Sequence, residues 1–91
     1  MKFEWDVEKA AANEAKHDVS FEEAVVVFDD PNHISWIDDR RGYGELRWVG
    51  VGLSGGVEIT VVFTMRGEAS RIISARRSTT RERKDYSDCA I

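Results

Sequence analysis

The stretch SRIISARRSTTRERKDY, residues 70–86, carries six cations: Arg71, Arg76, Arg77, Arg81, Arg83 and Lys84. Two acids, Glu82 and Asp85, oppose them. Arginine offers five donors in a planar fork that matches phosphate oxygens. Hydroxyls lie among these cations at Ser74, Ser78, Thr79 and Thr80, and a helix beginning near Thr79 would add its own anion-attracting N-terminus. This combination suits phosphate. It suits equally well an ion-paired surface against acids of the same chain. Histidine is the side chain that titrates nearest neutral pH, so His17 is the first candidate for moving a proton, although at the end of a helix it can also serve the helix dipole. Lys9 and Lys16 are seven residues apart and share one helical face, either solvated or able to contact phosphates.

The rest of the chain sets limits on that chemistry. Its 91 residues make one domain. At 42% hydrophobic and 33% charged it is neither disordered nor membranous in composition. No apolar run nears the ~20 residues of a membrane helix, and acids interrupt the N-terminus where an export signal would be apolar. A single cysteine, Cys89, excludes an internal disulfide and fits a cytoplasmic setting. The net charge of −4 conceals an asymmetry: residues 1–30 sum to −6 and residues 66–85 to +4.

The elements that must position these groups follow from pattern. Asp6 caps a helix reaching about residue 17. Ser20 and Glu23 form a capping box for a second helix over residues 21–28, ended by Pro31. Strands are expected over residues 33–38, 45–53, 57–66 and 70–77, with a loop over 39–44 and a tight glycine hairpin at Ser54-Gly55-Gly56. Ser78 or Thr79 caps a last helix to about residue 88. The order ααββββα predicts an α+β domain: a four-stranded antiparallel meander with helices packed on one face. Ile59, Val61, Phe63 and Met65 should meet the helices. Thr60, Thr64 and Arg66 should lie on a more polar, partly open face, where a ligand surface could sit. On the last strand Arg71 and Arg77 should share one face, with Arg76 on the other beside Ile72 and Ser74.

Two features carry less than they suggest. Gly50-Val51-Gly52-Leu53-Ser54-Gly55 spells the dinucleotide pattern GxGxxG, but β-rich sequence follows where a helix would have to start, so a hairpin is expected. Trp5, Trp36, Trp48, Tyr43 and Tyr86 could stack bases; in so small a chain tryptophans usually serve the core.

Several blocks together resemble the BrnT family: FEWD with Lys9, Asn13, Lys16 and His17; VSFEEA (19–24); VFDDP (27–31); Arg47-Trp48; Gly52-Leu53-Ser54; and RIISARR continuing through Thr79, Arg81, Glu82 and Arg83. The resemblance is collinear over nearly the whole chain. It implies a RelE-like fold and a toxin of a type II toxin–antitoxin module, a ribonuclease that blocks translation by cutting RNA. It also implies a BrnA-type ribbon-helix-helix antitoxin that neutralises the toxin in a hetero-oligomer and links it to operator DNA. One residue departs from the pattern: Asp18 stands where glycine usually follows the Lys-His pair.

On this resemblance the expected enzyme is a metal-independent endoribonuclease without cofactor. No carboxylates in the basic region stand at metal-ligand spacing. His17, Arg71 and Arg76 are the expected catalytic groups, with His17 moving the proton and the arginines stabilising charge. Lys9, Lys16, Arg77, Thr64 and Arg66 are expected to contact RNA, and Arg81, Arg83, Lys84 and Tyr86 the antitoxin. The alternatives are a non-catalytic protein- or nucleic-acid-binding module and a decayed toxin kept as co-repressor.

Overall fold

The computed structural model describes residues 2–38 and 44–89; most of the loop expected over residues 39–44, with Tyr43, lies outside them. The elements are β1 (Lys2–Glu4), α1 (Val7–His17), α2 (Phe21–Val26), a 3-10 turn (Val27–Asp29), β2 (Ile34–Asp38), β3 (Arg47–Ser54), β4 (Val57–Arg66), β5 (Ala69–Arg77) and α3 (Thr80–Cys89). The sheet has five strands in the order β1-β5-β4-β3-β2. The expected four-strand antiparallel meander is therefore corrected: β2 to β5 form it, and β1 adds a parallel edge, pairing Phe3 with Ser70 and Glu4 with Arg71. The two helices and the three strands β2 to β4 lie between these parallel partners in the chain, ample length for the connection that parallel pairing needs.

Local signals fix the helices. Asp6 accepts from the amides of Glu8 (2.9 Å) and Lys9 (3.1 Å). The Ser20–Glu23 box closes in both directions, at 3.0 and 2.9 Å. Helix α1 ends at Asp18, which takes the left-handed conformation with φ 58°. Between β3 and β4, Gly55 and Gly56 turn the chain with φ 59° and 82°, the paired positive values of a two-residue hairpin.

One sheet face meets α1 and α2. Ile59, Val61, Phe63, Ile72 and Ala75 pack there against Val19, Phe21, Ala24 and Val27, all buried. Phe28 stands edge-on to Phe63 at 5.0 Å, and Trp5 to Phe21 at 5.9 Å. Asn13 of α1 is buried against this face and bonds the backbone of Ala75 in both directions, donating at 2.8 Å and accepting at 3.2 Å. Gly52 faces the same layer: a Cβ there would stand 2.9 Å from Val27 and His33. The GxGxxG string is thus close packing followed by a hairpin. Met65, expected on this face's core, is 53% exposed.

Helix α3 lies on the second face, so the helices do not share one side of the sheet as expected. Its Glu82 accepts from Thr60, whose strand neighbour Val61 faces the core. Its Tyr86 is buried and donates to Asp30 at 2.6 Å. Thr60 and Thr64, expected to be open, are 1% and 2% exposed. The roof is α3 for Thr60; the Thr64 hydroxyl donates to the Leu46 carbonyl at 2.6 Å.

Candidate nucleic-acid interface

Which arginines face the same way is decided by a β-bulge. The β4–β5 register steps from Val62–Ser74 to Phe63–Ile72, leaving Ile73 as an extra residue. An extra residue reverses the alternation of side chains beyond it. Arg71, Ser74 and Arg76 therefore share the second face with Thr64, Val62 and Thr60, while Ile72 and Arg77 turn to the helical layer. The expected pairing of Arg71 with Arg77, and of Arg76 with Ile72, is corrected accordingly.

Cross-strand pairing orders this face into rows. Ile34, Val51, Thr60 and Arg76 form one, beneath α3; Trp36, Val49, Val62 and Ser74 form the next. Beyond it stand the pairs Asp38–Arg47 and Thr64–Arg71, with Glu4 beside Arg71.

Arg76 meets α3 at its first turn. Its Nη1 and Nη2 donate to the two carboxylate oxygens of Glu82 at 2.7 and 2.9 Å. Glu82 also accepts from the Thr79 amide (2.8 Å) and the Thr60 hydroxyl (3.0 Å), and its own amide donates to Thr79 Oγ1 at 3.2 Å. Burial opposes ionisation of Glu82, but the Arg76 bonds, the Thr79 amide and the Arg76 charge prevail and lower its pKa to about 2. The anion position at this helix start is thus filled by the chain's own carboxylate. Glu82 was not among the expected site residues, although Thr79-x-x-Glu82 is itself a capping-box pattern.

Arg71 donates to Glu4 at 2.8 Å. It lines a small polar depression with Asp6, Lys9, Glu45, Arg47 and Arg66. Glu45 stands 3.6 Å from Arg66 and 3.9 Å from Arg47. The structure therefore gathers Lys9, Arg66 and Arg71, three of the expected residues, and adds Arg47, which the sequence showed only as part of a motif.

Other expected residues are elsewhere. His17 ends α1, eight residues and so about 12 Å along the helix from Lys9. Helix α1 packs against β5, where Asn13 bonds the Ala75 backbone. Lys16 is exposed on the same helical layer, and the Arg77 charge acts on Glu23 there. Thr64 is too buried to offer its hydroxyl to a ligand. On α3, Arg81 and Lys84 are exposed beside Asp85 and Asp88, and Arg83 is exposed near Thr80. Tyr86, expected to contact the antitoxin, is buried and anchors α3: its bond to Asp30, with burial and that carboxylate's charge, raises its pKa to about 12. Among the described residues no group of three or more His, Cys, Asp or Glu side chains could hold a metal ion, and no helix is long and apolar enough to cross a membrane.

A family model, described as the ribonuclease toxin BrnT of type II toxin–antitoxin systems, matches residues 5–82 of the chain. No curated protein matches it.

Proposed function

Because the chain belongs to the BrnT family of ribonuclease toxins of type II toxin–antitoxin systems, we propose that its second sheet face binds single-stranded RNA and cuts it as a metal-independent endoribonuclease, inhibiting translation. The observation that carries this reading is the shared orientation of Arg71 and Arg76, two rows apart on one face. Two rows of the sheet span about 13 Å, so the two guanidinium-bearing residues flank the row of Trp36, Val49, Val62 and Ser74.

In the proposed reaction the 2′-hydroxyl of the substrate attacks the adjacent phosphorus and the 5′-oxygen leaves. The attacking oxygen gives up a proton and the leaving oxygen gains one, with no external oxidant or nucleophile. Arg76 and Arg71 would offset the charge that builds on the phosphorane-like transition state. Lys9, Arg47 and Arg66 would hold neighbouring phosphates. His17, at the end of α1, would move the proton, while the orientation of the arginines supports the reading. Glu82, held ionised by Arg76, is a weak base at neutral pH.

The proposed partner is a BrnA-type ribbon-helix-helix antitoxin. The exposed Arg81, Arg83 and Lys84 offer it cations around α3, and operator DNA would be reached only through it. A second reading, a non-catalytic binding module, is favoured by the carboxylate partners of the face: Glu4 on Arg71, Glu82 on Arg76, Glu45 near Arg66. The partly exposed Glu4 and Glu45 pairs are each worth ~0–1 kcal/mol, so a phosphate can exchange with them, whereas Glu82, bound through both oxygens and 15% exposed, is the stronger competitor.

The test is purified protein on labelled RNA in the presence of chelator. Wild type should cut, and Arg76→Ala should lose cleavage by about 100-fold or more while its circular dichroism is unchanged. Cleavage by Arg76→Ala at the wild-type rate removes the arginine from the mechanism. Expression in a bacterial host with and without the neighbouring gene separates the two readings: arrest with RNA loss, relieved by that gene, supports the toxin, and a folded protein without effect supports the binding module.

A further inference from the structure

The middle row of the second face differs from those beside it. Trp36, Val49, Val62 and Ser74 lie side by side across β2 to β5, between the row roofed by α3 and the cross-strand pairs Asp38–Arg47 and Thr64–Arg71. Its outer member, Trp36, is 38% exposed on an edge strand. The other two tryptophans behave differently: Trp5 and Trp48 pack against the main core. A chain this small gains most from burying its indoles, so an indole left partly exposed beside Val49 and Val62 asks for an occupant.

The shape and charge around it narrow what that occupant is. Trp36, Ile37, Asp38, Val49, Val62, Arg76 and Glu82 enclose a depression of about 270 Å³. That is just below the ~300–1,000 Å³ of sites for drug-sized ligands and suits a single planar ring. Cations flank it on both sides: Arg76 toward α3, and Arg47 with Arg71 on the far row. A flat apolar ring between two anions is the repeating pattern of single-stranded nucleic acid. A peptide would have to supply two acids around one aromatic residue to match it.

We propose that Trp36 is a stacking platform for one base of a single-stranded RNA, which lies on the Val49–Val62 floor with its flanking phosphates held by Arg76 and Arg71. The proposal rests on the RNA-binding reading above and adds the residue that receives the base. Stacking accepts every base, because each has a π-face. The platform therefore positions the strand and imposes little sequence preference at that nucleotide.

The test uses a short RNA bearing 2′-O-methyl groups throughout, which cannot be cut because its nucleophile is blocked. A set of versions each lacks the base at one position. With wild type, removing the stacked base should weaken binding about five-fold or more, and intact oligonucleotide should quench tryptophan fluorescence. Trp36→Ala should lose the same factor with the intact oligonucleotide and become indifferent to the missing base. Trp36→Phe should retain a large part of both effects. Trp36→Leu, which keeps an apolar side chain on the edge strand, serves as the folded control should the alanine variant be unstable, and it should also be indifferent. Additive losses from base removal and Trp36 substitution would overturn the platform. So would weakened antitoxin binding with unchanged RNA affinity, which would make Trp36 a protein contact. Wild type that cuts RNA without showing this coupling sinks the platform alone; wild type that neither binds nor cuts RNA sinks the RNA reading and the platform with it.

Discussion

Arg76 and Glu82 face each other across the β5–α3 junction through two parallel N–H···O bonds of 2.7 and 2.9 Å. The same carboxylate occupies the position a phosphate would take on Arg76 and closes the cap of α3 through the Thr79 amide. One residue thus ties the helix to the sheet and competes with the proposed substrate. Replacing it should move two observables in opposite directions. Glu82→Gln keeps the shape but loses the charge, and it turns an amide donor toward a guanidinium. We expect it to lower stability by about 1–2 kcal/mol, read from urea unfolding, while tightening binding of uncleavable RNA. If RNA affinity falls along with stability, Glu82 supports the site instead of competing for it.

The same contact predicts how stability responds to acid. A carboxylate held at about 2 in the folded chain, against 4.5 for the free group, contributes stability that is fully present above pH 4.5. That contribution is lost as the pH falls from about 4.5 to about 2. The Arg76 side chain is 37% exposed, and solvent screening reduces the effect to about 2 kcal/mol. At the other end Tyr86, raised to about 12 from 10.0 by its bond to Asp30, contributes stability present below pH 10 and lost as the pH rises toward 12. Urea midpoints measured from pH 6 down to pH 2 should fall steeply for wild type and more gently for Glu82→Gln. Parallel curves for the two proteins would mean that another group governs the acid limb.

Asn13 should be the most costly single polar residue to remove from the helical layer. It is 8% exposed, and its amide donates to the carbonyls of Val19 (3.0 Å) and Ala75 (2.8 Å) while its oxygen accepts from the Ala75 amide. Asn13→Ala leaves two carbonyls and one N–H without partners in a closed interface. The expected loss is about 2–4 kcal/mol, measurable by thermal or urea unfolding. A loss below about 0.5 kcal/mol would show that water enters and replaces the amide.

The sequence exposed what depends on neighbouring residues. The caps at Asp6 and Ser20, the Gly55-Gly56 turn and the core alternation of Ile59, Val61 and Phe63 are all short-range patterns, and the structure contains them. What stayed hidden depends on distant pairing. Strand β1 has three residues and exists only through its partner near Ser70. The bulge at Ile73 leaves no mark in RIISARR, yet it decides that Arg71 joins Arg76 and not Arg77. Thr60 and Thr64 read as an open polar stripe because their hydroxyl partners, Glu82 and the Leu46 carbonyl, come from other elements. Trp36 could not be told from Trp5 and Trp48 by residue type; only the register separates an edge-strand indole from two that pack against the core.

Asp18 tests whether a side chain at the left-handed end of α1 carries a cost. It ends α1 with φ 58° and ψ 32°, its amide donating to the Glu14 carbonyl at 2.8 Å. Among the described residues it is the only one other than glycine with positive φ. Left-handed backbone costs a side chain about 1 kcal/mol, somewhat less for Asp and nothing for Gly. A carboxylate at a helix C-terminus also opposes the helix dipole. Against these, glycine frees the unfolded chain and gives back part of the gain. The balance favours Asp18→Gly by about 0.5–1 kcal/mol, whereas Asp18→Val, branched at Cβ, should destabilise by more than that. Unfolding midpoints of the three proteins decide it. A glycine variant less stable than wild type would mean that the Asp18 carboxylate makes a favourable interaction that outweighs both backbone and dipole.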